Sequence, residues 1–304
     1  MKKLIYVALF SLVLTGCSSL SGGQETEEKV LKRNEQKLSS LVTKDYELEV
    51  KLIDNRNSNV LHTYMPSKEN REDVQKVVKE LARNIDRPMI PVKLNSNGEL
   101  TGGQSRVILD EKKALELLNN MTAFDKEIEL PIEETPPNVS KDTFSPEQTI
   151  LLGSYKTSFN PTIAGRTQNI SISSNVINQT VLGPGDRFYF NLVVGDRTIE
   201  NGYQKALEIV NKEFVEGIGG GVCQTSSTLY NAVEKAGLEI LELHHHSKSV
   251  GYVPEGKDAT VAYGYKDFKF MNNKDYPVMI RSIVDSKSGT LEVQVVASSD
   301  AVSQ

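Results

Sequence analysis

The sequence predicts an α+β protein: an antiparallel sheet with a cysteine-bearing helix in its C-terminal domain, and a smaller α+β module before it. Three observations predict it. Apolar residues at helical spacing are confined to short stretches, strand-like alternation recurs between them, and the last strands are joined by a tight turn, which makes them antiparallel neighbours. No internal repeat is visible in the 304 residues.

The chain starts with Lys2 and Lys3, an apolar run from Leu4 to Leu14, and Leu14-Thr15-Gly16-Cys17, small residues placed before a cysteine. This pattern resembles a lipobox. It predicts a signal peptide over 1–16, a lipid on Cys17 and a polar, flexible tether over 17–40, with the folded part outside the cytoplasm and held at the membrane by acyl chains. The apolar run is too short to span a bilayer, and no later segment is long and apolar enough to do so. The sequence has two cysteines, so with Cys17 lipidated, Cys223 is the one free thiol and no intrachain disulfide can form. Loss of Lys2 and Lys3 takes the net charge from −5 to −7, which argues against a nucleic-acid partner.

Residues 41–130 read as a small α+β module. Tyr46 to Leu52 alternates like a half-buried strand, and Val74, Val77, Val78, Leu81 and Ile85 lie at helical spacing within Glu72 to Ile85. A turn at Gly102-Gly103 precedes a second helix, from Asp110 or Glu111 to Leu118. Pro131, Pro136, Pro137 and Pro146 then punctuate an aperiodic acidic stretch, expected to be a linker over 131–147. The C-terminal domain is expected over 148–298, with a short tail over 299–304. Its predicted elements are a strand from Arg187 to Val194, strands Ala206–Val210 and Lys212–Val215 around a turn at Asn211, and a helix with Leu229, Ala232, Val233 and Ala236 on one stripe. Gly237 ends that helix. Leu238 to Leu243 and the histidines behind it are expected to be a strand, Phe268 and Phe270 lie in another, and Pro277–Ile283 with Thr290–Val296 form a hairpin.

The chemistry concentrates in Gly217-Ile-Gly-Gly-Gly-Val-Cys223-Gln-Thr-Ser-Ser-Thr-Leu-Tyr-Asn-Ala232. The glycines permit crowded or left-handed backbone and deliver Cys223 to the first turn of a helix, where unpaired amides and the helix dipole favour a thiolate. His244, His245 and His246 follow; strand alternation would put His244 and His246 on one face and His245 on the other. Asp258 lies beyond the turn Val253–Lys257, and Asp267 in the next strand. Cysteine, histidine and carboxylate in that chain order is the arrangement of papain-like and transglutaminase-like thiol enzymes. Other readings stand beside it. The glycines suit close packing, the cysteine suits a small buried hydrophobe, Thr225 to Thr228 suit a helix cap, and Cys223, His244, His246 and Asp258 are acceptable zinc ligands without a recognisable zinc spacing.

The run from Tyr155 to Ile280 resembles the VanW family, named for its place in vancomycin-resistance gene clusters. The matching words are Thr157-Ser-Phe, Gly183-Pro-Gly-Asp-Arg-Phe, the Gly217–Ala232 stretch, His246-Ser, Tyr252-Val-Pro-Glu-Gly-Lys-Asp-Ala-Thr-Val and Tyr265-Lys-Asp-Phe-Lys-Phe. His245 stands where the family often has a proline in His-Pro-His-Ser. Ile85-Asp-Arg-Pro88 and Ile108-Leu-Asp110 more loosely resemble a peptidoglycan-binding module that tends to precede this domain. The resemblance implies an envelope role near peptidoglycan and supplies no reaction. The expectation is therefore a thiol-dependent amide hydrolase or transpeptidase with Cys223 as nucleophile, His246 as base and Asp258 as orienting group. Gln224 or nearby amides would stabilise the oxyanion, and Gly219, Gly220, Gly221, Gln224, Ser226 and His244 would line the substrate groove. The alternative is a non-catalytic module that binds peptidoglycan or an envelope protein. No cofactor is expected outside the zinc reading.

Overall fold

Val74, Val78, Leu81, Ala82 and Ile85 recur on one side of a single helix, and in the computed structural model that side is buried. The structure describes residues 32–33, 49–66, 71–122, 124–210 and 213–299. The chain separates into residues 1–48, of which only Lys32 and Arg33 are described, both helical, and a compact unit over 49–304. Cys17, the signal peptide, most of the tether and the tail from residue 300 lie outside the described residues.

In the second unit, β1 (Val50–Asp54) pairs antiparallel with β2 (Val60–Tyr64). Helix α1 (Arg71–Ile85) leads to β3 (Val92–Leu94), β4 (Leu100–Thr101) and β5 (Arg106–Leu109). Helix α2 (Glu111–Asn119) starts at Asp110, whose carboxylate accepts from the Lys113 amide at 3.0 Å, an N-cap that satisfies one of the helix's free donors. β6 (Glu127–Leu130) returns parallel to β1, and β7 (Ile132–Thr135) pairs antiparallel with β5.

Residues 131–147, expected to be a linker, are therefore built into the fold. Prolines interrupt periodicity without preventing an extended, paired segment. Beyond β7, Phe144 is buried with Leu94, Val181, Met279 and Val296, and the Ser145 amide donates to Ser298 Oγ at 2.9 Å.

The main sheet has six strands, all antiparallel, in the order β4–β3–β9 (Thr180–Leu182)–β15 (Val278–Asp285)–β16 (Thr290–Ser298)–β8 (Thr149–Ser158). Strands β3 and β4 from the N-terminal region thus extend the C-terminal sheet. Alternation along the strands gives two apolar faces. Val181, Met279 and Val296 face the Phe144 cluster, whereas Leu182, Val278, Ile280, Leu291, Val293 and Val295 join the main core beneath two helices. These are α3 (Ala164–Ile177), which packs on β15, and α5 (Val222–Lys235), which lies across β8 and β16. A second sheet, β10 (Arg187–Tyr189)–β14 (Lys269–Met271)–β13 (Glu239–Glu242), adds the Phe188–Phe270 stack, with centroids 4.9 Å apart. A hairpin of β11 (Lys205–Val210) and β12 (Glu213–Ile218) leads into α5.

The α+β class with antiparallel sheets and a helix-borne cysteine is observed. Two local expectations are corrected. The strand predicted over Arg187–Val194 stops at Tyr189, and Phe190–Val194 forms a helical turn, α4, in which the half-buried Asp267 carboxylate accepts from the Asn191 amide at 2.8 Å. The strand predicted through the histidines ends at Glu242.

Candidate functional site

Cys223 occupies the first turn of α5, as the glycine run predicts. Gly221 is the N-cap, at φ +112°, and Gly219 sits at φ +100°; both are in the left-handed region where a side chain is strained. Gly220 has a different reason to be glycine: a Cβ there would lie 2.7 Å from the Ala206 and Leu207 carbonyl oxygens. All three are buried, and these glycines shape and pack the elbow.

The next residues are polar and buried. Gln224 donates through Nε2 to Thr157 Oγ1 and to the Ser158 carbonyl, each at 3.0 Å, and its Oε1 accepts from Arg166 at 2.7 Å. With both amide hydrogens in use, Gln224 has no donor left for an oxyanion. Thr225 and Thr228 meet Ser173 and Thr157 across the core at 2.7 and 2.9 Å. None of this is helix capping, since no side chain caps α5.

Ser226 and Ser227 do something more specific: they tether the segment that carries Asp258. Ser226 Oγ donates to the Ala259 carbonyl at 2.6 Å, and the Ala259 amide donates to Ser227 Oγ at 2.9 Å. Asn231 Nδ2 donates to the Lys257 carbonyl at 2.7 Å. The Thr260 amide donates to the His244 carbonyl at 2.7 Å, which fastens the histidine segment to the same strap. Ser226, expected at the substrate groove, is thus fully buried and positions Asp258 instead.

On this frame Asp258 Oδ2 accepts from the His246 amide and from His246 Nδ1, both at 2.6 Å. Two bonds to one residue fix the imidazole's orientation and occupy Nδ1, and the Cys223 thiol is close enough to the ring to raise its pKa. Cys223 Sγ also lies 3.4 Å from the Val261 carbonyl, an acceptor for the S–H. His245 Nδ1 is 3.1 Å from Asp258 Oδ1, so His245 and His246 share the carboxylate. His244 turns away to Glu242 Oε1 at 2.9 Å. Strand alternation therefore fails here, and His244 leaves both the expected groove and the zinc set. Among the described residues no three His, Cys, Asp or Glu side chains could hold a metal ion. Asp267 accepts from the Asn191 amide in the first turn of α4, and its own amide donates to Glu242 Oε1, the oxygen that pairs with His244.

Burial opposes the charged form of both partners, and their mutual contacts outweigh it. The His246 imidazole is raised above its ordinary value, by the thiol and then by Asp258, while bonds from His246 and His245 hold the Asp258 carboxyl below its own. A raised imidazole adds stability that is complete below its unfolded value near 6.5 and lost as pH rises through the folded value. A depressed carboxyl adds stability that is present above 3.8 and lost as pH falls through the folded value. Asp258→Asn is accordingly expected to destabilise most between those two unfolded values. Urea titrations of both proteins at several pH values check this; a difference independent of pH would contradict it.

Three further side chains interact electrostatically with the thiol and have no counterpart in the motif reading. Arg166 from α3 lies over Gly221, where a Cβ would be 3.1 Å from its Cγ, and its guanidinium stacks on Tyr252 at 5.8 Å. Arg197 lies over Gly219, where a Cβ would be 2.9 Å from its Cβ, between the Phe190 and Tyr263 rings at 5.7 and 5.9 Å. Burial lowers the pKa of both arginines, and each is close enough to feel the charge of Cys223. Burial raises the Tyr252 phenol, which the thiol's charge raises further. Helix α3 was illegible because its buried face is polar: Asn169, Ser173 and Ser174 break the apolar stripe by which helices are found.

Residues 165–296 match the family model described as "VanW like protein". The chain is 39% identical over 216 residues to "Uncharacterized protein YoaR" of Bacillus subtilis, covering 69% of this chain and 70% of that protein. It is 27% identical over 126 residues to "Vancomycin B-type resistance protein VanW" of Enterococcus faecalis, covering 39% of this chain and 45% of that one. No solved structure matches.

Proposed function

Because the chain belongs to the VanW family, we propose that it acts at the cell envelope as a thiol-dependent amide hydrolase or transpeptidase on peptidoglycan stem peptides, anchored through a lipid on Cys17. The observation that carries this reading is the Asp258–His246–Cys223 array, with the imidazole held at 2.6 Å by a carboxylate that is itself strapped to the nucleophile's helix. In the reaction Cys223 gives its proton to His246 Nε2 and its sulfur bonds to the amide carbon. The tetrahedral intermediate collapses as the C–N bond breaks, and the leaving amine takes the proton back from Nε2. Water attacking the thioester completes hydrolysis, and a second amine completes transpeptidation. In the α5 turn, the Val222 and Gln224 amides already donate to Gly219 and Gly221, which leaves the Cys223 amide as the nearest oxyanion donor.

An envelope role is supported by a relative named for vancomycin B-type resistance, and among the described residues no helix is long and apolar enough to cross a membrane. The likeness of Ile85-Asp-Arg-Pro88 and Ile108-Leu-Asp110 to a peptidoglycan-binding module suggests that residues 41–130 hold the chain on the wall. Incubation of the full chain with purified muropeptides, read by mass spectrometry, tests the proposal. Cleaved or exchanged stem-peptide amides are expected. Unchanged muropeptides together with retention on sacculi would replace it with the non-catalytic binding reading.

A further inference from the structure

We infer that Arg166 and Arg197 form an anion clamp beside Cys223, and that the substrate is a peptide carrying a free carboxylate close to the amide under attack. This rests on the proposed thiol chemistry for its purpose, and on independent geometry for its existence. The two left-handed glycines each seat the aliphatic stem of one arginine, so the loop that delivers the nucleophile also holds two arginines, both close enough to interact electrostatically with Cys223. Arg166 is held by Gln224 and Tyr252. Arg197 donates through Nη1 to the Gly195 carbonyl at 3.0 Å, yet its Nη2 is buried with no partner among the described residues. The hydroxyl of Tyr203, a residue only 2% exposed, is equally unpartnered, and burial raises its pKa against the opposing pull of the Arg197 charge.

A buried guanidinium donor without an acceptor is costly, and a carboxylate is the group whose geometry matches a guanidinium fork. Among the described residues neither arginine has a carboxylate bonded to it; the interactions of Arg197 with Asp196 and Asp267 are through-space attractions only. The exposed Tyr263 ring borders the Arg197 side and offers an apolar wall for the residue that bears the carboxylate.

Alkylation of Cys223 by iodoacetate and by iodoacetamide, followed at the Cys223 peptide of the full chain, tests the clamp. Both reagents meet the same thiol and only iodoacetate carries a carboxylate, so their rate ratio reports the anion site whatever the reactivity of the sulfur. The ratio is expected to exceed that of the neutral thiol N-acetylcysteinamide by about tenfold, and to fall toward it in Arg197→Gln and Arg166→Gln. A wild-type ratio equal to that of the free thiol, or an elevated ratio untouched in both variants, overturns the clamp. Slow alkylation by both reagents at an elevated ratio would sink the activated thiol and leave the clamp supported. A second arm uses the wild-type chain alone and asks which peptide protects Cys223 from iodoacetamide. Protection by N-acetyl-alanyl-alanine assigns the site to a C-terminal carboxylate, and protection by N-acetyl-glutamyl-alaninamide to a side-chain carboxylate. If neither protects better than N-acetyl-alanyl-alaninamide, the clamp is overturned.

Discussion

Cys223→Ala is expected to abolish turnover of muropeptides, and His246→Ala to reduce it by about 10²–10⁴-fold at neutral pH. The two effects differ because the groups do different things. Removing the sulfur removes the atom that bonds to the substrate, whereas removing the imidazole leaves a thiol that can still ionise without assistance. His246→Ala is therefore expected to regain rate as pH rises, while Cys223→Ala is not. The wild-type imidazole is held by Asp258 at 2.6 Å and is only 8% exposed, so its loss should not be made good by solvent at neutral pH. Steady-state rates on one purified muropeptide between pH 6 and 9 check this. Equal turnover in wild type and Cys223→Ala would remove the nucleophile assignment altogether.

Gly153→Ala is expected to be strongly destabilising while it leaves the site's own residues intact. Gly153 lies in β8 directly under α5, and a Cβ there would lie 2.4 Å from the Ala232 carbonyl oxygen and 2.5 Å from the Ala236 amide nitrogen. Both neighbours are backbone, so no rotamer change relieves the contact; helix and strand must separate. The cost is about 3 kcal/mol, toward the upper end for overpacking, and should appear as a lower urea midpoint with an unchanged slope. Gly251→Ala, with nothing within 4 Å of its Cβ position, is the matched control and is expected to stay within about 0.5 kcal/mol of wild type. Equal stability of the two variants would mean that α5 does not rest on β8 as described.

Much of the C-terminal domain was legible from residue patterns. The stripe Leu229, Ala232, Val233 and Ala236 marks the buried face of α5, Gly237 at φ +68° ends it, and the β15–β16 hairpin falls where Asp285 to Gly289 puts its turn. Each signal is local, a period or a turn residue that acts on its own neighbours. Strand β8 and helix α3 escaped for a shared physical reason. β8 carries Gly153 at its closest contact with α5, and α3 buries asparagine and serines, so neither displays the apolar periodicity that burial usually imprints. The linker expectation failed because prolines report a loss of periodicity, which a packed extended segment shares with an unpacked one.

By itself the sequence determined that a lone cysteine begins a glycine-delivered helix, and that histidines and an aspartate follow it. It also determined the family words around them. Only the tertiary structure decided which histidine meets the carboxylate: His245 and His246 share Asp258 while His244 goes to Glu242, because the chain leaves β13 before the histidines and strand alternation no longer governs them. It alone decided that Ser226, Ser227 and Asn231 act as straps, since their partners at Lys257 and Ala259 are remote in sequence and are brought near by the packing of α5. The arginines are the clearest case. Arg166 and Arg197 lie far from Cys223 along the chain and in no motif, and only the close approach allowed by two bare glycines seats their stems against the loop that carries the thiol.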